Sequence, residues 1–111
     1  MNVGIDIVDI SRMKRLIKDR RFLNKVFTRE EIVYCSNRKN RIQHFAVRFA
    51  AKEAVWKALG KDGLWFKDIS VKNSPEGKPE IILKKLKKFQ KRLSISLSHS
   101  KTTAVAVALF K

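Results

Sequence analysis

Two carboxylates and a lysine are the residues of this chain whose types and spacing could most readily do chemistry. Asp6 interrupts an apolar N-terminal segment, and Glu53 and Lys57 lie four residues apart in a helical pattern. A buried carboxylate must be paired or hydrogen-bonded, and an Asp with a Glu is the minimal protein contribution to a Mg²⁺ site that shares phosphate oxygens. These residues favour phosphoryl chemistry, with a structural ion pair of Glu53 and Lys57 as the open alternative.

The other candidates are cationic or imidazole groups. Arg48 and Lys52 form a second pair four residues apart on the same predicted helix, and their charges suit phosphate oxygens. His99 ends a serine-rich alternating segment, where a single histidine is more often a surface or structural group than a ligand. Its interpretation therefore depends on the two acids.

The charge of the chain indicates an anionic partner. The 111 residues include 26 Lys and Arg against 10 Asp and Glu, which gives a formal net charge of +16. Composition leaves nucleic acid, acidic protein, phosphorylated ligand and membrane surface open as partners, and a lysine-rich bias of heat-adapted proteins is a further explanation. The aromatic residues fall at helical core spacing, which is not typical of a nucleic-acid-binding strand face.

Other enzyme classes lack their motifs. The sequence has no Gly-rich phosphate loop, dinucleotide fingerprint, zinc-ligand spacing or nucleophile elbow.

The lone Cys35 forms no disulfide framework and predicts a reducing, cytoplasmic compartment. No apolar run approaches membrane-spanning length and the N-terminus lacks the form of a signal peptide, so we expect a cytoplasmic protein with no membrane association.

Asp6 lies in a segment that alternates as a β-strand from the first residues. Asp9 or Ser11 begins a helix with a basic outer face. Thr28 and Glu31 form a capping box that opens a short third element. The longest predicted element is a helix from about residue 41 to a Gly stop at residue 60, and it carries Glu53 and Lys57.

The second half of the chain predicts two hairpins. After a turn at residues 61–63, residues 66–72 and 80–83 form the first hairpin, and residues 84–92 form a basic helical segment. Residues 94–99 and 103–109 form the second, whose last strand is apolar on both faces and is therefore typical of a sheet centre or a subunit contact. We predict one α+β domain over residues 1–111, in which a small antiparallel or mixed sheet packs against one long central helix.

Four sequence blocks together resemble the holo-acyl-carrier-protein synthases, the short bacterial 4′-phosphopantetheinyl transferases. The blocks are GIDIVDI at 4–10, RFAAKEA at 48–54 with KALG at 57–60, GKP at 77–79 and ISLSHS at 95–100. They occur in the family's order and spacing and span nearly the whole chain. The chain departs from the family at residues 61–63, where many members carry a Thr-Gly pair.

The resemblance implies an enzyme of fatty acid biosynthesis. It would transfer the 4′-phosphopantetheine arm of coenzyme A to a serine hydroxyl of apo-acyl carrier protein and release adenosine 3′,5′-bisphosphate. Asp6 and Glu53 match the family's ligands for Mg²⁺, or Mn²⁺ in its place, and Lys57 matches a catalytic lysine. Glu53 or a water on the metal would accept the serine proton, and both remain open. The residues matched to coenzyme binding are Arg48, Lys52, Lys57, His99 and Ser100.

The family resemblance also gives the basic first helix a partner. Acyl carrier proteins are strongly acidic, Arg12 matches a position that contacts the carrier, and Arg15 is a neighbouring docking residue. Family members are homotrimers, in which one chain gives Asp6 and Glu53 and its neighbour completes the coenzyme pocket. Two non-catalytic alternatives stay open on the residues alone: a basic nucleic-acid-binding module and an adaptor for an acidic protein.

Overall fold

The computed structural model describes residues 1–60 and 63–111, so the predicted turn at Lys61 and Asp62 lies outside the described residues. The elements, in chain order, are β1 (Asn2–Asp9), α1 (Ile10–Leu16), α2 (Arg20–Val26), α3 (Arg29–Ser36), α4 (Arg41–Leu59), a 3₁₀ helix (Phe66–Asp68), β2 (Ile69–Asn73), β3 (Pro79–Leu83), a second 3₁₀ helix (Lys87–Arg92), β4 (Leu93–His99) and β5 (Thr103–Phe110). The α+β class is confirmed. Within the described ranges, no helix has both the length and the apolar character needed to cross a bilayer.

The strands form two separate antiparallel sheets. β5 lies between β1 and β4 in a three-stranded sheet, and β2 pairs with β3. Both predicted hairpins are confirmed, as is the central position of the strand that is apolar on both faces. The mixed alternative is wrong, because every described strand pair is antiparallel.

Helix α4 packs on one face of the three-stranded sheet through small residues. The buried alanines of the two elements are Ala46, Ala50, Ala51, Ala54 and Ala58 on α4 and Ala104, Ala106 and Ala108 on β5. A Cβ on Gly4 of β1 would lie 1.9 Å from the carbonyl oxygen of Ala54 and 2.8 Å from the amide nitrogen of Ala58. Glycine therefore lets the backbones of β1 and α4 touch directly.

The opposite face of this sheet is apolar and exposed. Val3, Ile5 and Ile7 alternate with Gly4 and are 63%, 61% and 69% exposed. Their neighbours in register on β5 are Leu109, Val107 and Val105. Single exposed apolar side chains are common, but a contiguous apolar face of this kind is typical of a surface that another molecule covers.

The predicted helix signals at α3 and α4 are confirmed. The Thr28 hydroxyl accepts a hydrogen bond from the Glu31 amide at 3.2 Å, and the Thr28 amide donates to Glu31 Oε1 at 2.9 Å. Gly60 ends α4 in the left-handed region, at φ +56°, and its amide donates to the Trp56 carbonyl at 3.0 Å. The last helical residue of α4 is therefore Leu59, one before the predicted stop.

Three local predictions were incomplete or wrong. Helix α2 was not predicted; Asp19 caps it by accepting a hydrogen bond from the Arg21 amide at 2.9 Å. The first hairpin strand begins at Ile69 instead of residue 66, because the Asp68 carboxylate accepts from the Trp65 amide at 3.1 Å and folds residues 66–68 into a 3₁₀ turn. The basic segment is a 3₁₀ helix over Lys87–Arg92 only, because Leu86 at φ +59° interrupts helical geometry.

The contact at Gly4 predicts the effect of adding one methyl group. Gly4→Ala places a Cβ inside van der Waals distance of two backbone atoms, so β1 and α4 must separate. We expect a loss of about 1–3 kcal/mol or more in the free energy of unfolding, measured by urea denaturation. Asn2→Ala, at an exposed position of the same strand, is the control and should change stability little. Equal stability of the two variants would contradict the close approach.

Candidate active site

Strand β1 and helix α4 bring Asp6, Glu53 and Lys57 to one location. Asp6 lies two residues after Gly4, so its side chain points to the side of the sheet on which α4 packs. Lys57 Nζ lies 3.5 Å from Asp6 Oδ1 and donates a hydrogen bond to the Ile5 carbonyl at 3.0 Å. Lys57 thus pairs with Asp6 of β1 instead of with Glu53, the partner that the sequence spacing allowed.

The two carboxylates repel one another. The pKa of Glu53 is raised above its ordinary value, first by partial burial and then by the charge of Asp6, while Lys57 and Arg12 act in the opposite direction. Two carboxylates with incomplete cationic compensation form a hard oxygen donor set that suits a divalent cation. In the described part of the chain, no three His, Cys, Asp or Glu side chains are grouped as metal ligands. A cation here would therefore take its remaining ligands from water or substrate.

A second group of predicted residues lines a cavity of about 310 Å³ on the other side of α4. Arg48 and His99 both face it, and the turn carrying Gly77 and Pro79 closes one side. Arg48 is only 5% exposed, and its Nε has no hydrogen-bond partner among the described residues. The guanidinium also faces a neighbouring cavity of about 390 Å³ between α3 and β2. A buried, incompletely paired guanidinium is suited to an anionic ligand.

Sequence reasoning missed His44 and Tyr34, which belong to the surroundings of Arg48. The Tyr34 ring lies between two guanidinium groups, with Arg38 Cζ 4.1 Å and Arg48 Cζ 4.5 Å from its centroid. His44 meets the same ring edge to face at 5.7 Å and lines the cavity with His99. The helical spacing of His44 and Arg48, four residues apart, was the available sequence signal.

Lys52 was predicted to bind coenzyme, but the structure engages its ammonium inside the core. Its side chain is fully buried, and its Nζ lies 2.7 Å from Glu31 Oε1. The ammonium also donates to the carbonyl oxygens of Phe66 and Ile69. Burial lowers the pKa of Lys52 and the Glu31 carboxylate opposes that change. The ammonium is engaged inside the core, so Lys52 has a structural role.

Ser100 shapes the turn between β4 and β5. Its hydroxyl oxygen accepts hydrogen bonds from the amides of Thr102 and Thr103 at 3.3 and 3.2 Å. The Thr102 carbonyl accepts from the Ile10 amide at 2.9 Å, which links this turn to the start of α1. Ser100 therefore fixes the backbone next to His99.

Helix α1 presents the predicted docking residues to solvent. Arg12 and Arg15 are exposed and one turn apart, while Met13 between them is buried. Arg12 also lies close enough to Glu53 for its charge to oppose the rise in the pKa of that carboxyl. The basic surface of α1 thus borders the pair of acids.

The structure separates the predicted site residues into two groups within one chain. Asp6 is on the edge strand β1 and His99 is on the opposite edge strand β4, with β5 between them. The two edge strands are roughly 10 Å apart at the spacing of neighbouring strands. Helix α4 carries Glu53 and Lys57 toward one group and Arg48 toward the other, so one chain does not enclose all of these residues in one pocket.

Comparisons with known proteins agree over nearly the whole chain. The sequence model of the 4′-phosphopantetheinyl transferase superfamily matches residues 2–109. A holo-[acyl-carrier-protein] synthase of Thermodesulfovibrio yellowstonii is 48% identical over 107 residues, which cover 94% of this chain and 92% of that protein.

Two solved structures are similar in fold. A holo-(acyl-carrier-protein) synthase of Bacillus anthracis in complex with CoA (3′,5′-ADP) has a TM-score of 0.84 and 32% identity, with 98% of this chain and 94% of that chain covered. The Helicobacter pylori holo-[acyl-carrier-protein] synthase in complex with coenzyme A has a TM-score of 0.84 and 36% identity, with 98% and 99% covered.

The raised pKa of Glu53 predicts that this carboxylate lowers stability at neutral pH. Its folded-state pKa lies above the ordinary 4.5, so the folded protein favours the protonated carboxyl. The stability that this preference gives is fully present below pH 4.5 and is lost as pH rises through the folded-state pKa. We expect Glu53→Gln to raise the midpoint of thermal unfolding at pH 7 in the presence of a chelator, and the gain to shrink toward pH 4.5. Glu76→Gln, in an exposed turn, is the control; an equal gain from both variants would refute the interpretation.

Proposed function

The chain belongs to the 4′-phosphopantetheinyl transferase superfamily, and from this premise we propose that it is a holo-acyl-carrier-protein synthase. Its substrates are coenzyme A and the apo form of an acyl carrier protein. The observation that supports this most directly is the convergence of Asp6, Glu53 and Lys57 at the contact of β1 and α4. A non-catalytic nucleic-acid-binding module, the alternative suggested by charge, has no comparable support.

The reaction is a phosphoryl-type transfer. The serine oxygen of the carrier forms a bond to the phosphorus that bears the pantetheine arm, and the bond from that phosphorus to the leaving phosphate oxygen breaks. Adenosine 3′,5′-bisphosphate leaves with the bonding electron pair, and the serine loses its proton. The protein's main contribution to such a reaction is positioning and stabilisation of charge.

Asp6 and Glu53 are the residues that would hold Mg²⁺, or Mn²⁺ in its place. Both supply hard oxygen donors, and their mutual repulsion is incompletely balanced by Lys57 and Arg12. A bound cation neutralises negative charge on the coenzyme pyrophosphate and its leaving oxygen. The incomplete donor set leaves coordination positions for the substrate.

Lys57 supplies a positive charge that is held in place but still accessible. Asp6 and the Ile5 carbonyl fix its ammonium, while 48% of the side chain is exposed. An ammonium carries three donors, so Lys57 keeps a donor for a phosphate oxygen as charge develops there. This assigns Lys57 to stabilisation of the leaving group.

The basic surface of α1 receives the carrier protein. Arg12 and Arg15 are exposed beside the acids, so an acidic partner that docks there brings its serine toward Asp6 and Glu53. Exposed charges of this kind accelerate association more than they strengthen the final complex. The net charge of +16 extends the attraction beyond the contact surface.

The active form is a homotrimer with active sites between subunits. The exposed apolar face of Val3, Ile5 and Ile7 gives each chain a surface for other copies. The separation of Asp6 from His99 within one chain supports the same assembly, because a neighbour's Arg48 and His99 can complete the coenzyme pocket. The acids of one subunit and the cations of the next then bind opposite ends of the coenzyme.

Removal of either acid should abolish transfer without unfolding the protein. We expect Asp6→Ala and Glu53→Ala to lower the rate of Mg²⁺-dependent transfer by at least about a thousandfold, because each is half of the proposed cation site. The measurement is the mass of apo-carrier protein after incubation with coenzyme A and Mg²⁺, with circular dichroism to check folding. Wild-type activity in both folded variants would contradict the site, and an unchanged carrier mass with the wild-type enzyme would contradict the function.

A charge on the exposed sheet face should dissociate the trimer. Ile5→Glu buries a carboxylate in the proposed interface, so we expect monomers by analytical ultracentrifugation and a loss of transfer activity. Val33→Glu is the matched control, since Val33 is a 53% exposed apolar residue on α3.

A shared site also requires that inactive Asp6→Ala and His99→Ala proteins regain activity when they are mixed and reassembled. Failure of that complementation would place each active site within one chain.

A further inference from the structure

His44 lines the cavity of Arg48 and His99. It is titratable, and the transfer reaction described above gives it no role. It lies on α4, one turn before Arg48, and its backbone carbonyl accepts a hydrogen bond from Arg48 Nη1 at 3.4 Å. Its ring rests edge to face on Tyr34, at 5.7 Å between centroids and 83° between planes. The ring is therefore held at the cavity wall by α3 and by its own helix.

The groups whose charge acts on His44 are all basic. Arg48 acts from α4, Arg38 from the segment after α3, and His99 from the end of β4, while Tyr34 of α3 is the other titratable group in contact. Burial, followed by these three basic groups, lowers the pKa of His44 below its ordinary value of 6.5. No carboxylate contributes to that change among the described residues. Burial and these basic groups therefore favour the neutral imidazole near pH 7.

An anion in the cavity reverses this balance. A phosphate dianion placed between Arg48 and His99 would offset the charge of Arg48 and would itself attract a proton to the imidazole of His44. Neutral His44 has one donor, whereas the imidazolium has two and carries a positive charge. Anion binding and protonation of His44 are therefore thermodynamically linked.

We infer that His44 is a further coenzyme-binding residue of this cavity, and that it takes up a proton from solvent when a phosphate monoester binds. The inference rests on the proposed function. In that function the pyrophosphate lies against Asp6, Glu53 and Lys57, so the 3′-phosphate is the remaining phosphate for this cavity. His44 thus selects coenzyme A over its 3′-dephospho form, and more strongly below pH 7.

Titration calorimetry of the whole protein tests the proton. Adenosine 3′,5′-bisphosphate is titrated into wild type and His44→Phe at pH 6.5, in two buffers that differ in ionisation enthalpy. Phenylalanine keeps the ring on Tyr34 and removes the titratable nitrogens, so the difference between the two proteins isolates His44 from proton changes of the phosphate itself. We expect greater proton uptake by wild type, and an affinity that falls toward pH 8 by up to about tenfold per pH unit more than in the variant.

Two controls make the result specific. His44→Gln, which is polar but does not titrate, should behave like His44→Phe, and thermal unfolding checks that both are folded. 3′-Dephospho-coenzyme A, which has no phosphate monoester, should give the same proton uptake with all three proteins. Equal proton uptake from the bisphosphate by wild type and His44→Phe would overturn the inference, as would failure of wild type to discriminate the two nucleotides. The mass of the modified carrier protein at pH 8 tests the transfer function separately.

Discussion

The ion pair of Lys52 and Glu31 is the interaction on which the arrangement of α4 depends. Both charges are buried. The amides of Thr28, in the capping box, and of Val71, in β2, donate to the carboxylate, and the carbonyls of Phe66 and Ile69 accept from the ammonium. Removing one partner from such a pair typically costs about 3–5 kcal/mol, because the other charge is left without compensation. The pair therefore fastens α3, α4 and β2 to each other.

This pair also fixes the rotation of α4 about its axis. Successive helical residues point about 100° apart, so a buried Lys52 on the α3 side directs the next residue, Glu53, toward β1. Arg48, one turn before Lys52, stays on the same side of the helix and faces the cavity that it shares with His99. With this internal ionic contact in place, α4 presents Glu53 to the contact with β1 and Arg48 to the cavity that His99 lines.

Much of the fold and part of the site could be predicted from the sequence. The limits of α4, the capping box at Thr28 and the hairpin of β4 and β5 follow from local signals, and the structure has them. Lys52 shows where such reasoning ends, because its spacing from Arg48 suggested a ligand-binding pair, and only the tertiary partner Glu31 reveals that it is buried. His44 was missed for the related reason that its neighbours Arg38, Tyr34 and His99 come from elsewhere in the chain.

The absence of a side chain at Gly4, which is inherent to glycine, has a consequence for how this site can change during evolution. Because β1 meets α4 through backbone atoms, the spacing between the strand of Asp6 and the helix of Glu53 does not depend on the size of an intervening side chain. Conservative exchanges elsewhere in the core can then alter stability while the two carboxylates keep their separation. Sequence change is therefore most constrained at Gly4 itself, where any side chain would push β1 and α4 apart.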